Sequence, residues 1–449
     1  MNLDPFFKSK RIAIIGASRE DGKIGNVILK QLMGKNFTLF PINPNADEIL
    51  GMTCYPSVLD VPGAIELAIV ATPGPTVPAV LDQLGKKNVR HAVIISAGFK
   101  EVGNLKLEKD LQDKLKANKI TCVGPNCLGV LDAHTGLDCL FLPSDRLKRP
   151  KPGVISFISQ SGATGSAILD LLAGEDFGFA KFISYGNAAN LDESDLITYL
   201  SNDPHTKVIA IYLEGAKDGR KFLEAARSCK KPIILIKGGT TSSGATAAKS
   251  HTGSLAGSAD VYFGAFKQAG ITYTATMQEL FDAIKIFEKL HTSAGGKRVQ
   301  VVTNGGGYGI LTADAVERNG LVLGALGTPL KNLRKKFPPT VIVSNPMDLL
   351  GDADDARYAV GLDAAIADDN NDAIIVVALP QTPRLDAHLI TVLVDAYRKS
   401  TKPMILVTTG ATAAEQLKRK AESAGIPTYD YPENAVVALK KYVDYCCRK

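Results

Sequence analysis

Residues 154–163 read Val154-Ile-Ser-Phe-Ile-Ser-Gln-Ser-Gly-Ala163, and residues 299–308 read Val299-Gln-Val-Val-Thr-Asn-Gly-Gly-Gly-Tyr308. Each is a β-branched apolar run that passes through a small polar turn into a helix-compatible stretch. That order predicts a parallel strand, a tight turn and a crossover helix, the repeating unit of an α/β protein. Short apolar runs of the same kind recur along the whole chain. Before residue 154 they predict strands at Arg11 to Gly16, Thr38 to Asn43, Leu67 to Thr72, His91 to Ala97 and Ile120 to Val123. A Pro-rich basic stretch, Pro143 to Pro152, separates these from a second series at Gly153 to Ile158, Phe179 to Ser184, Val208 to Leu213, Pro232 to Lys237 and Ile271 to Thr274. After the linker His291 to Lys297, a third series is predicted at Arg298 to Thr303, Leu321 to Gly324, Thr340 to Val343, Ala373 to Ala378, Pro403 to Thr408 and Pro427 to Tyr429.

Size and composition agree with several such units. At roughly 150 residues per domain, 449 residues predict about two to four domains. Hydrophobic residues at 45% and charged residues at 22% are ordinary globular values. No apolar run reaches the roughly 18 residues of a membrane-spanning helix. The start, Met1-Asn-Leu-Asp-Pro-Phe-Phe7, lacks the zones of a signal peptide, which predicts a cytoplasmic protein. The 7 cysteines are scattered without a Cys-x-x-Cys pair, so reduced thiols are expected and no metal site is predicted. The net charge of +6 is dispersed and aromatic residues are only 6%, which gives no reason to expect nucleic-acid binding.

Chemistry gathers at a few positions. Gly238 to Ser258 is composed almost wholly of Gly, Ala, Ser and Thr, reads as a long loop, and carries His251 near its tip. Imidazole is a competent neutral nucleophile near pH 7, and small neighbours leave it free to move. Long loops inside compact domains are uncommon and usually functional or disordered. Ser159-Gln160-Ser161-Gly162 and Asn304-Gly305-Gly306-Gly307 each open a helix after a strand, where unpaired N–H groups and the helix dipole favour a phosphate. Glu214 follows the strand Val208 to Leu213 and could hold one imidazole nitrogen while the other attacks. A surface ion pair with Lys217 or Arg220 is the competing reading of that carboxylate. The first turn, Gly16 to Asn26, is not a proper dinucleotide fingerprint, and the second strand ends in Pro41-Ile-Asn-Pro44 without the ribose-binding acid. Arg19 and Lys23 beside it favour a ligand with several phosphates.

These pieces resemble the NDP-forming acyl-CoA synthetases, the superfamily of succinyl-CoA synthetase, over essentially the whole chain. Gly16-Ala17-Ser18, Pro41-Ile-Asn43, Ala71-Thr72-Pro73, Ser96-Ala97-Gly98 and Gly124-Pro-Asn126-Cys127 look like that family's CoA-binding domain. Ser159 to Gly162, Glu214 and Ser250-His251-Thr252-Gly253 look like its phosphohistidine domain. Asn304 to Gly307 and Asn345-Pro-Met-Asp348 look like its second flavodoxin-like domain.

The arrangement best matches the α subunit of ADP-forming acetyl-CoA synthetases. The resemblance implies a Rossmann-like CoA-binding domain over 1–129, a flavodoxin-like domain over 130–294 and a second one over 295–449. It implies that CoA or acetyl-CoA is held by Gly16, Ser18, Arg19, Lys23, Gly25, Pro41, Asn43, Thr72, Pro73, Ser96, Ala97, Gly98, Asn126 and Cys127. Phosphate would be held at the two helix-opening turns, with His251 and Glu214 catalytic. No ATP-grasp domain is visible in the sequence, so ADP or ATP with Mg is expected on a separate β subunit, in an α2β2 assembly acting on a small carboxylic acid. The competing readings are a non-catalytic CoA-binding sensor or scaffold, and a nicotinamide-dependent oxidoreductase, against which the poor fingerprint counts.

Overall fold

The computed structural model describes residues 1–252 and 258–448, except the side chains of residues 248–252. The chain divides into two compact units, Met1–Tyr273 and Thr274–Lys449. The first unit holds two sheets. Its first strands are β1 (Arg11–Ile15) and β2 (Thr38–Ile42), then a small hairpin of β3 (Glu48–Ile49) and β4 (Met52–Thr53), then β5 (Leu67–Val70), β6 (His91–Ile94) and β7 (Thr121–Val123). The first sheet is parallel in the order β2-β1-β5-β6-β7. Successive side chains leave a strand on opposite faces. Ile12, Ile14, Leu67, Ile69 and Val93 accordingly join one core, and Ala13, Ile15, Ala68, Val70 and Ile94 another. Both faces are buried, which is why these strands read as continuous apolar runs.

The second sheet comprises β8 (Gly129–Asp132), β9 (Leu137–Asp138), β10 (Pro152–Ser159), β11 (Phe179–Ser184), β12 (Val208–Leu213), β13 (Ile233–Lys237) and β14 (Thr272–Thr274). Their order is β14-β13-β12-β10-β11-β8-β9, with β8 antiparallel to β11 and β9 antiparallel to β8. Ile158, Ile183, Ile209 and Ile211 belong to the same core as Ile12 and Ile14 of the first sheet. The second unit carries β15 (Arg298–Thr303), β16 (Val322–Leu323), β17 (Met347–Asp348), β18 (Ala373–Val377), β19 (Met404–Val407) and β20 (Thr428–Tyr429). All are parallel in the order β16-β15-β18-β19-β20, and β17 extends the β16 side of β15. The α/β class expected from sequence holds, with parallel strands dominating all three large sheets. Among the described residues no helix is long and apolar enough to cross a membrane.

Three local expectations fail. Thr340 to Val343 is not a strand: Ile342 makes only an isolated bridge to Asp348, and the strand beside β15 is Met347–Asp348 instead. Pro338, Pro339 and Pro346 crowd this segment with residues that fix φ, three of them lacking an N–H for a ladder. Val341 and Val343 are still buried, so the apolar alternation was real but packs as irregular chain. The segment expected to be a long loop contains a helix, Ser242–Thr252. Ala245, Ala247 and Ala248 have the highest helix propensity, and the Thr241 hydroxyl caps the start by accepting the Gly244 N–H at 3.1 Å. Finally, β8 and β9 were not expected at all.

Candidate functional site

In all three sheets the first parallel strand has its successors on both sides. The chain goes from β1 to β2 on one flank and then to β5 on the other, from β10 to β11 and then to β12, and from β15 to β16 and then to β18. Such a reversal opens a crevice at the carboxyl end of the strand, where open α/β sheets bind ligands. The three small-residue turns singled out in the sequence follow β1, β10 and β15, so each lies at a switch point.

At the first switch point Gly16 has φ +89°, and a Cβ there would fall 2.8 Å from the Ala71 carbonyl oxygen. A Cβ on Gly25 would fall 2.1 Å from the Gly16 carbonyl oxygen. Glycine at both positions therefore lets the helix Ile24–Leu32 begin pressed against the turn. Asn43 closes the neighbouring strand end by donating Nδ2 to the Ala17 carbonyl at 2.8 Å. Ser96 donates its hydroxyl to the Thr72 carbonyl at 2.5 Å and accepts through its own carbonyl the Asn126 N–H at 2.9 Å. Ser18, Thr72, Pro73, Ala97, Gly98 and Asn126 thus come to one edge of the sheet, at the ends of β1, β5, β6 and β7. Pro41 is buried in β2, opposite Ile14. Arg19 and Lys23 are exposed on the turn, Arg19 donating Nε to the Glu48 carbonyl at 3.1 Å and Lys23 lying 3.6 Å from Glu20. Cys127 turns inward: its thiol meets the Ile94 carbonyl at 3.3 Å, and burial pushes its pKa well up. It remains a neutral thiol, and a structural role suffices to explain it.

At the second switch point Ser161 caps the helix Gly162–Gly174, its Oγ accepting the Thr164 N–H at 3.3 Å. Ser159 is fully buried and donates to the Ser161 carbonyl at 2.6 Å, shaping the turn from beneath. Gln160 reaches across to the next strand end, where its Oε1 accepts the N–H groups of Glu214 and Gly215 at 2.7 and 3.0 Å. Glu214 is 8% exposed. The hydroxyl of Tyr212 donates to its Oε1 at 3.3 Å. The buried ammonium of Lys237 donates to the Glu214 carbonyl at 2.6 Å and to the Gly238 carbonyl, and stands 4.8 Å from the Tyr262 ring centre. Burial lowers the Lys237 pKa, and the Glu214 charge opposes that. One carboxylate, one ammonium and two phenols therefore meet beside a helix N-terminus.

Sequence reasoning missed Tyr212 and Lys237. Tyr212 lies two residues before Glu214, and the period of two puts both on one face of the strand end, a signal that was available. Lys237 closes an otherwise apolar buried strand, which is a weaker one. The helix Ser242–Thr252 packs beside Lys100–Val102, next to the Gly98 turn of the first sheet. The side chain of His251 lies outside the described residues.

At the third switch point Asn304 is 3% exposed and fully engaged. Its Oδ1 accepts the Leu379 N–H and the Tyr358 hydroxyl, both at 2.9 Å, and its Nδ2 donates to the Leu379 carbonyl at 3.1 Å and the Thr382 hydroxyl at 3.2 Å. The side chain is a staple between strand ends. What this turn leaves for an anion is the backbone N–H of Gly306 and of Gly307 at the start of the helix Gly306–Arg318, since the Gly305 N–H already donates to the Thr303 hydroxyl at 2.9 Å. A Cβ on Gly306 would meet the Asp348 carboxylate at 2.8 Å, whereas Gly307 faces open space.

Comparison with known proteins matches each part. The CoA binding domain family matches residues 10–133, the succinyl-CoA ligase like flavodoxin domain 152–287, and the Ligase-CoA domain 299–445. An ADP-forming acetate–CoA ligase of Methanocaldococcus jannaschii is 42% identical over 447 residues, covering 98% of this chain and 63% of its own. The chain thus spans under two thirds of the length of that relative. The α subunit of ADP-forming acetate–CoA ligase II of Pyrococcus furiosus is 38% identical over 97% of this chain and 96% of its own. A structure of the dinucleotide-forming acetyl-coenzyme A synthetase 1 of Ca. Korarchaeum cryptofilum, in complex with phosphate and ADP, superposes with TM-score 0.92 at 37% identity, covering 99% of this chain and 97% of that one.

Proposed function

The chain belongs to the NDP-forming acyl-CoA synthetase superfamily, with the α subunits of ADP-forming acetate–CoA ligases, and on that premise we propose that it is the acyl-transferring subunit of such a ligase. It would convert acyl-CoA, ADP and phosphate to the free acid, CoA and ATP, with acetate as the first acid to test. The observation that carries this reading is the placement of Glu214 beside the Ser161-capped helix N-terminus at the second switch point.

The proposed sequence has three transfers. A phosphate oxygen attacks the thioester carbon, the C–S bond breaks, and CoA leaves as the thiolate. One nitrogen of His251 then attacks the phosphorus of the acyl phosphate, and the P–O bond to the acyl group breaks to release the carboxylate. The ring becomes cationic while its other N–H is held by Glu214, whose charge balances it. Last, a β-phosphate oxygen of ADP takes the phosphoryl group and the neutral imidazole returns. The turn at Gly16 to Gly25 and the edge formed by Thr72, Pro73, Ser96 to Gly98 and Asn126 would hold CoA. The N–H groups that open the helices Gly162–Gly174 and Gly306–Arg318 would hold phosphate.

ADP with Mg is assigned to an ATP-grasp β subunit, in an α2β2 assembly, and the setting to the cytoplasm. The three-part division at 1–129, 130–294 and 295–449 follows the same reading. Incubation with an ATP-grasp subunit, acetyl-CoA, ADP and phosphate should yield ATP and acetate in equal amounts. Tight CoA binding with no ATP from any acyl-CoA would instead mark a sensor.

A further inference from the structure

Tyr212 stands where three parts of the second switch point meet. Its phenol oxygen is 3.3 Å from Glu214 Oε1, and the Thr164 side chain, in the first turn of the helix Gly162–Gly174, lies beside it. A Cβ built on Gly238 would lie 3.0 Å from that same oxygen and 3.7 Å from Glu214 Cγ. Gly238 directly follows β13 and begins the segment that leads to His251. The absence of a side chain at Gly238 is thus what lets the phenol approach the carboxylate. Gln160 fixes the Glu214 backbone and Lys237 binds its carbonyl, whereas the Tyr212 hydroxyl meets the carboxylate itself.

We propose that Tyr212 is a positioning residue for phosphoryl transfer, aiming the Glu214 carboxylate at the imidazole through its phenol. The inference rests on the ligase reading above and names a residue which that reading does not require. A phenol suits the task because it donates one directed hydrogen bond and adds no charge beside the phosphoryl group. Burial, followed by the Glu214 charge, raises its pKa, so it stays a donor throughout the working range.

The test uses the chain together with an ATP-grasp subunit, acetyl-CoA and radiolabelled phosphate, and follows the rate at which acid-labile phosphoprotein forms. A hydrogen bond to a charged group corresponds to about 10- to 100-fold in rate, so Tyr212→Phe should slow labelling by about that factor, leaving the KM for acetyl-CoA and the unfolding midpoint within error. Gly238→Ala, which displaces the phenol without removing it, should slow labelling in the same direction. In a Glu214→Ala background Tyr212→Phe should have no further effect, because the group it positions is gone. Equal labelling rates for wild type and Tyr212→Phe, or a full Tyr212→Phe effect in the Glu214→Ala background, overturn the positioning role and leave the ligase reading standing. No acid-labile label on the wild-type protein overturns both.

Discussion

The turns after β10 and β15 are built alike and equipped differently. In each, a carboxamide side chain leaves the turn and staples the end of the next parallel strand. Gln160 accepts the N–H groups of Glu214 and Gly215, and Asn304 accepts that of Leu379. What is stapled differs. In the first unit it is a carboxylate with a phenol at 3.3 Å, and a buried ammonium holds the backbone behind it. In the second it is a leucine, and the turn presents the N–H groups of Gly306 and Gly307 with the Asp348 carboxylate against Gly306. On the proposed reading, the same scaffold would supply a reacting centre in one unit and an anion cradle in the other. Topology fixes where a ligand can bind, but one or two side chains at the strand end fix what can happen there.

The largest effect that can break this comparison is at Glu214. Glu214→Gln keeps the shape and removes the charge, and formation of phosphoprotein should fall roughly 10³-fold, as expected when a carboxylate that orients and charge-balances an imidazole is neutralised. A rate unchanged from wild type would make the two turns chemically equivalent. Next is a pH signature on the charged side. Glu193, 1% exposed, has its pKa raised from 4.5 to about 7, first by burial. The folded state therefore binds the extra proton, and the first unit should lose stability as pH rises from the ordinary carboxylate value through about 7. Glu193→Gln should be stabilising by ~3 kcal/mol at pH 8 and near neutral at pH 4, measured by denaturant unfolding at both.

Smaller effects separate the two staples. Asn304→Ala should cost about 3 kcal/mol of stability, since it leaves the buried Leu379 N–H and Tyr358 hydroxyl short of a partner. Gln160→Ala, at a wetter turn, should cost about 1 kcal/mol yet slow phosphoryl transfer more than Asn304→Ala does. Thermal unfolding and labelling rates on the same two variants check the crossing. The smallest effect belongs to Gly307→Ala. With open space around the added methyl, stability should change by less than about 0.5 kcal/mol, so a raised KM for phosphate would report directly on the cradle.

The large-scale reading was legible because its signals are local. An apolar run, a glycine turn and a helix-compatible stretch are all written within ten or so residues, and β1, β10 and β15 fall where they were expected. Thr340 to Val343 misled because valines alternate there as in a strand, while prolines on both sides deny the ladder. Ser242–Thr252 misled because Ser, Thr and Gly outweighed the alanines in a reading that gave no weight to Thr241 as a cap. At the site, the positions of Glu214 and the two turns were legible from strand ends. That Asn304 faces Leu379, that Cys127 turns inward, and that Lys237 converges on Glu214 are products of tertiary packing. No local pattern in the chain encodes those pairings, whereas the two-residue spacing of Tyr212 and Glu214 does place them together.

The central claim is that the chain carries a phosphoryl group on His251, and mapping that group tests it most directly. After a single turnover with acetyl-CoA and labelled phosphate, the account predicts one acid-labile, base-stable phosphate on the peptide containing His251, lost entirely in His251→Asn. An acid-stable label on the neighbouring Ser250 or Thr252, or an undiminished label in His251→Asn, would contradict it.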